Sequence, residues 1–184
     1  MTLWLARHAQ PLVEPGVCYG QLDVAADAHA NADCASALAV ALPLGTVVAA
    51  SPLKRCDQLA RALSRLRPDL VITSDARLME MNFGAWEGQR WDAIGPAPLA
   101  AWTDDFAHHR PGGGESVSQF LARVQAAFNA RPEGQPTAWL THAGVIRAAG
   151  LLHAGTAVIT QASQWPVAAP AFGQWWVLGG RLRA

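Results

Sequence analysis

Thr2-Leu3-Trp4-Leu5-Ala6-Arg7-His8-Ala9-Gln10 begins as a short apolar run and stops on an arginine and a histidine, side by side. The run suits a buried β-strand. Successive side chains of a strand point to opposite faces, so Arg7 and His8 can serve one site only where the strand ends and the backbone turns. In open parallel α/β sheets, ligands bind beyond the carboxyl ends of the strands. The pair therefore reads in two ways: a histidine beside a fixed cation, suited to nucleophilic chemistry on an anion, or two solvated polar residues closing a strand.

Working outward, a loop rich in Pro, Gly and Asp runs from about Gln10 to Ala30, and a loop that long within a compact domain is usually functional. Asn31 to Leu42 reads as an alanine-rich helix stopped by Pro43, and Thr46 to Ala50 as a second buried strand. Ser51 and Pro52 then suit the N-cap and N1 positions of a helix reaching about Arg67, with Leu53, Leu59, Ala60 and Leu63 as its apolar stripe. Leu70 to Thr73 is a third strand, followed by an irregular stretch from Ser74 to Gln89. Short helices are expected at Trp91 to Ile94 and Pro98 to His108, with a flexible joint at Pro111 to Glu115. Ser116-Val-Ser-Gln119 is a capping-box pattern that launches a helix to about Ala130. Thr137 to Thr141 is a fourth strand running into His142-Ala143-Gly144, and a helix from Val145 to His153 follows. Gln174 to Leu178 is a last strand. This alternation predicts a three-layer α/β/α fold, a mainly parallel sheet with helices on both faces.

The length, 184 residues, fits one domain over 1–184 with a substantial core. Hydrophobic residues make up 51% and charged residues 15%, which excludes a disordered chain. The formal net charge is zero, which argues against a general binder of nucleic acid or anionic membranes. Lys54 is the only lysine among 14 basic residues, and an arginine-heavy complement suits bidentate recognition of phosphate, though a GC-rich genome produces the same bias. Cys18, Cys34 and Cys56 form no CxxC, so neither a disulfide framework nor a zinc site is indicated. Without a signal peptide or an apolar run long enough to span a bilayer, a cytoplasmic location is expected. Most of the eight tryptophans are expected in the core, with Trp86 and Trp91 in loops that could line a pocket.

Four places share one design: Arg7-His8 after strand one, Ser51 to Arg55 after strand two, Glu80 after strand three and His142 after strand four. All gather at one sheet edge, where two helix N-termini add N–H groups and a positive dipole end. Two arginines, two histidines and helix N-termini make an anion site, and phosphate matches the arginine forks.

Arg7-His8-Ala9, Ser51-Pro52-Leu53-Lys54-Arg55-Cys56, Glu80-Met-Asn-Phe-Gly84-Ala-Trp-Glu-Gly88 and Thr141-His142-Ala-Gly144 resemble, in order, the four signature blocks of the histidine phosphatase superfamily, the phosphoglycerate-mutase-like family. The resemblance implies that His8 is the nucleophile that becomes a phosphohistidine, its other ring nitrogen held by a backbone carbonyl. It implies that Arg7, Arg55 and His142 bind the phosphoryl oxygens, and that Glu80 protonates the leaving oxygen and then activates water. No metal or cofactor is implied. Two positions depart from the pattern: Ala9 replaces a usual glycine, which matters only where φ is positive, and Glu14 stands where an asparagine is common and is not assigned to phosphate binding.

Gly16-Val-Cys-Tyr19-Gly20-Gln21-Leu-Asp23, with Phe83 to Gly88 and Pro111 to Ser116, is similar to α-ribazole phosphatases. That likeness implies hydrolysis of α-ribazole 5′-phosphate in cobalamin nucleotide-loop assembly, with Tyr19, Gly20, Gln21, Trp86 and Trp91 as candidate pocket residues for an aromatic ring. Alternatives on the same site are a phosphoglycerate mutase or a broad sugar-phosphate phosphatase, and, from another class, a non-catalytic phospholigand-binding domain. His29, His108, His109 and His153 are read as surface or structural, Cys18 as no nucleophile, and Glu87, Glu115 and Ser116 as pocket borders or, for Ser116, a helix cap.

Overall fold

The computed structural model describes residues 2–179. Its core is a five-stranded sheet in the order β3-β2-β4-β1-β5, made of β1 (Leu3–Arg7), β2 (Val47–Ala50), β3 (Val71–Ser74), β4 (Thr137–Thr141) and β5 (Trp175–Leu178). The first four are mutually parallel and β5 alone runs antiparallel along β1. Strand alternation divides the core in two. Leu3, Leu5 and Trp139 point to one face, against α5 (Val117–Asn129) and α6 (Ala143–His153). Ala6, Val48, Ala138 and Leu140 point to the other, against α1 (Ala28–Ala41) and α2 (Lys54–Leu66). The expected three-layer α/β/α architecture is therefore present. Two short helices, α3 (Trp91–Ile94) and α4 (Pro96–Asp104), lie in the long connection between β3 and α5.

Several boundaries differ from expectation. The first helix starts at Ala28 rather than Asn31, because the Asp27 side chain caps it by accepting from the Ala30 N–H. The second starts at Lys54, with Leu53 rather than Ser51 at the N-cap. The fourth spans Pro96–Asp104 instead of Pro98 to His108. The capping box at Ser116 and Gln119 forms as expected. Trp139 is core, whereas Trp176 is 37% exposed on the edge strand β5. Among the described residues, no helix is long and apolar enough to cross a membrane.

Candidate active site

Backbone pairing at the carboxyl ends of the strands builds the site. The His8 N–H donates to the Thr141 carbonyl and the Ser51 N–H to the Leu140 carbonyl, so the chains leaving β1 and β2 are both tied to the end of β4. His8, Ser51 and His142 thus meet at one edge. The C-terminal segment closes over them, with the Gly173 N–H donating to the His8 carbonyl. A cavity of about 150 Å³ opens there, lined by Arg7, His8, Tyr19, Gly20, Arg55, Glu80, Phe83 and Trp91 together with Val17 and Ala143.

His8 is 2% exposed, and its Nδ1 lies 2.7 Å from the Ala9 carbonyl. A carbonyl only accepts, so Nδ1 carries the proton. Burial, then the Arg55 charge, push the His8 pKa down to about 3 even though the Ala9 bond opposes them. A neutral imidazole holds one proton, and with Nδ1 protonated the free lone pair sits on Nε2. Ala9 itself is buried and has no positive φ, so alanine in place of glycine imposes no backbone strain.

Arg55 is fully buried, donating to the carbonyls of Gly20 and Leu22 at 2.7 and 3.0 Å. It therefore fastens the long loop over the cavity while its Nε–H stays unpartnered. Arg7 donates to the Pro170 carbonyl and lies 3.8 Å over the Phe172 ring, with its Nε–H also buried and unpartnered. Neither arginine has a carboxylate partner among the described residues. A fully buried cation beside a half-buried one, with no anion between them, is costly unless the site takes one up.

His142 is fully buried, its ring centroid 5.2 Å from that of His8. Burial first, then the charge of Arg55, hold its pKa well below the usual histidine range. Its Nε2 lies 2.8 Å from Ser51 Oγ, and its Nδ1 is buried without a partner. A Ser51 hydroxyl donating into Nε2 leaves Nδ1–H as a free donor. Ser51 therefore orients a histidine instead of capping α2. The N–H of Lys54, in the first turn of that helix, goes to the Asp23 carboxylate of the loop.

The Glu80 carboxylate accepts from the N–H groups of Met81 and Gly144, both at 3.0 Å. The start of α6 thus holds a carboxylate, whereas the sequence suggests that it faces the anion directly. A Cβ on Gly144 would collide with that carboxylate. Gly20 is equally constrained, because a Cβ there would meet the Met81 carbonyl and the Phe83 ring where the loop crosses the chain after Glu80.

The outer candidates divide. Tyr19 and Gly20 line the cavity, and Tyr19 also lies under Arg55, 5.2 Å from its guanidinium. Gln21 is turned aside, donating to the Glu80 carbonyl and lining a neighbouring surface cleft. Trp86, 8% exposed, packs edge-on against Trp91 and Trp102, and Trp91 is the tryptophan that reaches the cavity. Glu87 is no free border, since it accepts from the N–H groups of Gln21 and Phe83. Glu115 pairs with Arg123, and Glu14 is exposed and lies outside the cavity. Burial pushes the thiols of Cys18 and Cys56 up to about 12 and that of Cys34 to about 11, which leaves all three as inert thiols. Ser51 as a partner of His142, and Pro170 and Phe172 around Arg7, are not found by reading the sequence. The first stands in the right block but looks like a helix cap; the others carry no local signal.

A sequence profile described as Histidine phosphatase superfamily (branch 1) matches residues 3–169. The chain is similar to a mycobacterial glucosyl-3-phosphoglycerate phosphatase solved with VO3, at 26% identity over 98% of this chain and 91% of that one, with a TM-score of 0.76. A native structure of the mycobacterial glucosyl-3-phosphoglycerate phosphatase is similar at 29% identity over 83% and 78%, with a TM-score of 0.67. A protein of Thermus thermophilus is similar at 29% identity over 97% and 94%, with a TM-score of 0.71. No protein in the curated set matches the chain.

Proposed function

The chain belongs to the histidine phosphatase superfamily, and from that premise we propose that it is a phosphomonoesterase, one domain over 1–184, that works without a metal through a phosphohistidine on His8. One observation carries the reading. A fully buried Arg55 and a half-buried Arg7, neither with a carboxylate partner among the described residues, line one cavity together with neutral His8 and Glu80, and neutral His142 packs against His8 behind it. The His8 Nε2 lone pair forms a bond to phosphorus as the ester P–O bond breaks, and the alcohol oxygen takes a proton from Glu80. Water then gives a proton to the Glu80 carboxylate and attacks phosphorus, the P–N bond breaks, and neutral His8 is restored. Arg7, Arg55 and the Nδ1–H of His142 offset the charge on the phosphoryl oxygens in both steps.

For the substrate, we propose α-ribazole 5′-phosphate. The Gly16 to Asp23 loop resembles that of α-ribazole phosphatases, and Tyr19, Phe83 and Trp91 offer rings around the phosphoryl cavity. A second reading, a phosphatase of sugar or glycerate phosphates, is favoured by the mycobacterial neighbours. Turnover of α-ribazole 5′-phosphate, glucosyl-3-phosphoglycerate, 3-phosphoglycerate and hexose phosphates separates the two. The α-ribazole ester is expected to give the highest kcat/KM, and a higher value on any sugar or glycerate ester overturns that choice. Formation of free phosphate without a bisphosphate primer separates a phosphatase from a mutase. An acid-labile phosphoenzyme trapped from wild type and absent from His8→Ala is the expected mark of the mechanism, and a His8→Ala protein that keeps most of its turnover refutes it.

A further inference from the structure

Beyond Glu80 lies a second cavity of about 160 Å³ that shares Glu80 and Phe83 with the phosphoryl cavity. Its other walls are chiefly Trp102, Phe106 and Trp165, with Arg147 as the one further charged side chain. The rings hold one another in place. Trp102 stacks on Phe106 with centroids 5.6 Å apart, Phe83 meets Trp102 edge-on at 5.8 Å, and Trp165 meets Phe106 edge-on at 6.4 Å. Together the two cavities reach the low end of the roughly 300–1,000 Å³ typical of small-molecule sites.

From this arrangement we infer that the second cavity binds the alcohol side of the substrate and selects an aromatic ring there. The inference rests on the phosphatase reading above. The bond that breaks lies at Glu80, between the two cavities, so the phosphoryl group occupies the His8 side and the alcohol continues past Glu80. A sugar or glycerate alcohol carries several hydroxyls or a carboxylate, and a wall of five aromatic rings, Phe120 being the fifth, leaves only Arg147 and Glu80 as charged side chains to meet them. A flat ring buries apolar surface against those rings in edge-on or offset contact. The wall also keeps two buried donors unpaired, the Trp102 Nε1–H and the Arg147 Nε–H. An acceptor atom on the ring offsets that deficit after a small shift of either side chain, which favours a nitrogen heteroaromatic over a hydrocarbon.

Three primary phosphate esters with alkoxide leaving groups test this on the purified protein: butyl phosphate, 2-(indol-1-yl)ethyl phosphate and 2-(benzimidazol-1-yl)ethyl phosphate. The indolyl ester should exceed the butyl ester at least tenfold in kcat/KM, and the benzimidazolyl ester should exceed the indolyl severalfold. Trp165→Ala should lower kcat/KM for both ring esters about tenfold, with orthovanadate affinity within threefold of wild type. Trp102→Phe, which keeps a ring and removes the N–H, should erase the benzimidazolyl advantage. Equal kcat/KM on all three esters, with vanadate still inhibiting, overturns the aromatic assignment and leaves the phosphatase reading standing. Vanadate binding without turnover of any ester overturns the phosphatase reading and this inference with it.

Discussion

A single hydrogen bond decides what His8 can do. With Nδ1 donating to the Ala9 carbonyl, the lone pair that must attack phosphorus is on Nε2 at any pH above about 3. The acid limb of the activity profile therefore does not report His8 of the free enzyme. The partner histidine is oriented by a different kind of group. Ser51→Ala leaves the buried His142 Nε2 with only the weaker contact to Cys56 Sγ at 3.6 Å, and frees the ring to adopt the other tautomer with its proton on Nε2. Loss of such an orienting contact typically costs about 10–100-fold in activity, so kcat/KM for a phosphate ester should fall about tenfold. A wholly unsatisfied buried group costs about 1–3 kcal/mol, and with the thiol contact retained the loss should stay within that range, which urea titration should register. Ser51→Thr, which retains the hydroxyl, should recover much of the activity. Unchanged kinetics in Ser51→Ala would mean that His142 needs no orientation from Ser51.

Elements bring these residues together, and they differ in how plainly the sequence declares them. The four parallel strands, the Ser116 capping box and the helix following His142 depend on local pattern, so apolar runs and cap residues suffice to find them. The start of α2 is misleading because Ser51 looks locally like a cap, while its hydroxyl is claimed by His142, 91 positions away. The Gln10 to Ala30 loop is recognisable as functional, but nothing in it announces that the Gly20 and Leu22 carbonyls anchor Arg55. Long-range polar contacts of this kind leave no periodicity to read. Trp86 and Trp91 look alike in sequence, and only tertiary packing separates the one that reaches the cavity. The α6 N-terminus yields a prediction at this scale. Gly144→Ala drives a Cβ into the Glu80 carboxylate held there, while α6 gains a better helix former. General acid–base catalysis contributes about 10²–10⁴-fold, so kcat should drop toward that range with orthovanadate affinity retained. A matched loss of vanadate affinity would show that the whole site, and not Glu80 alone, had moved.

Across the molecule, the site's charge pattern sets how stability depends on pH. His8 and His142 are buried and neutral, with pKa values pushed to about 3 and well below the usual range, whereas an unfolded chain offers histidines near 6.5. Between those limits the unfolded state binds two protons that the folded state refuses. The stability they contribute is fully present above pH 6.5 and is lost as the pH falls through the folded values. Each histidine adds a slope of about 1.4 kcal/mol per pH unit once the unfolded form is mostly protonated. Carboxylates stabilised by arginine, such as Asp75 beside Arg77, lose their contribution too, but at the lower pH where an unfolded aspartate near 3.9 titrates. The interval from pH 6.5 to 5 therefore isolates the histidines. Urea unfolding in that interval should show stability falling toward acid, with a shallower slope in His8→Gln, which keeps a polar side chain of similar size and cannot charge. Saturating orthovanadate should raise stability by RT ln(1 + [L]/Kd), since Arg7 and Arg55, which hold it, are brought together only in the folded chain. A pH dependence identical in wild type and His8→Gln would place the titrating groups elsewhere and contradict the depressed pKa of His8.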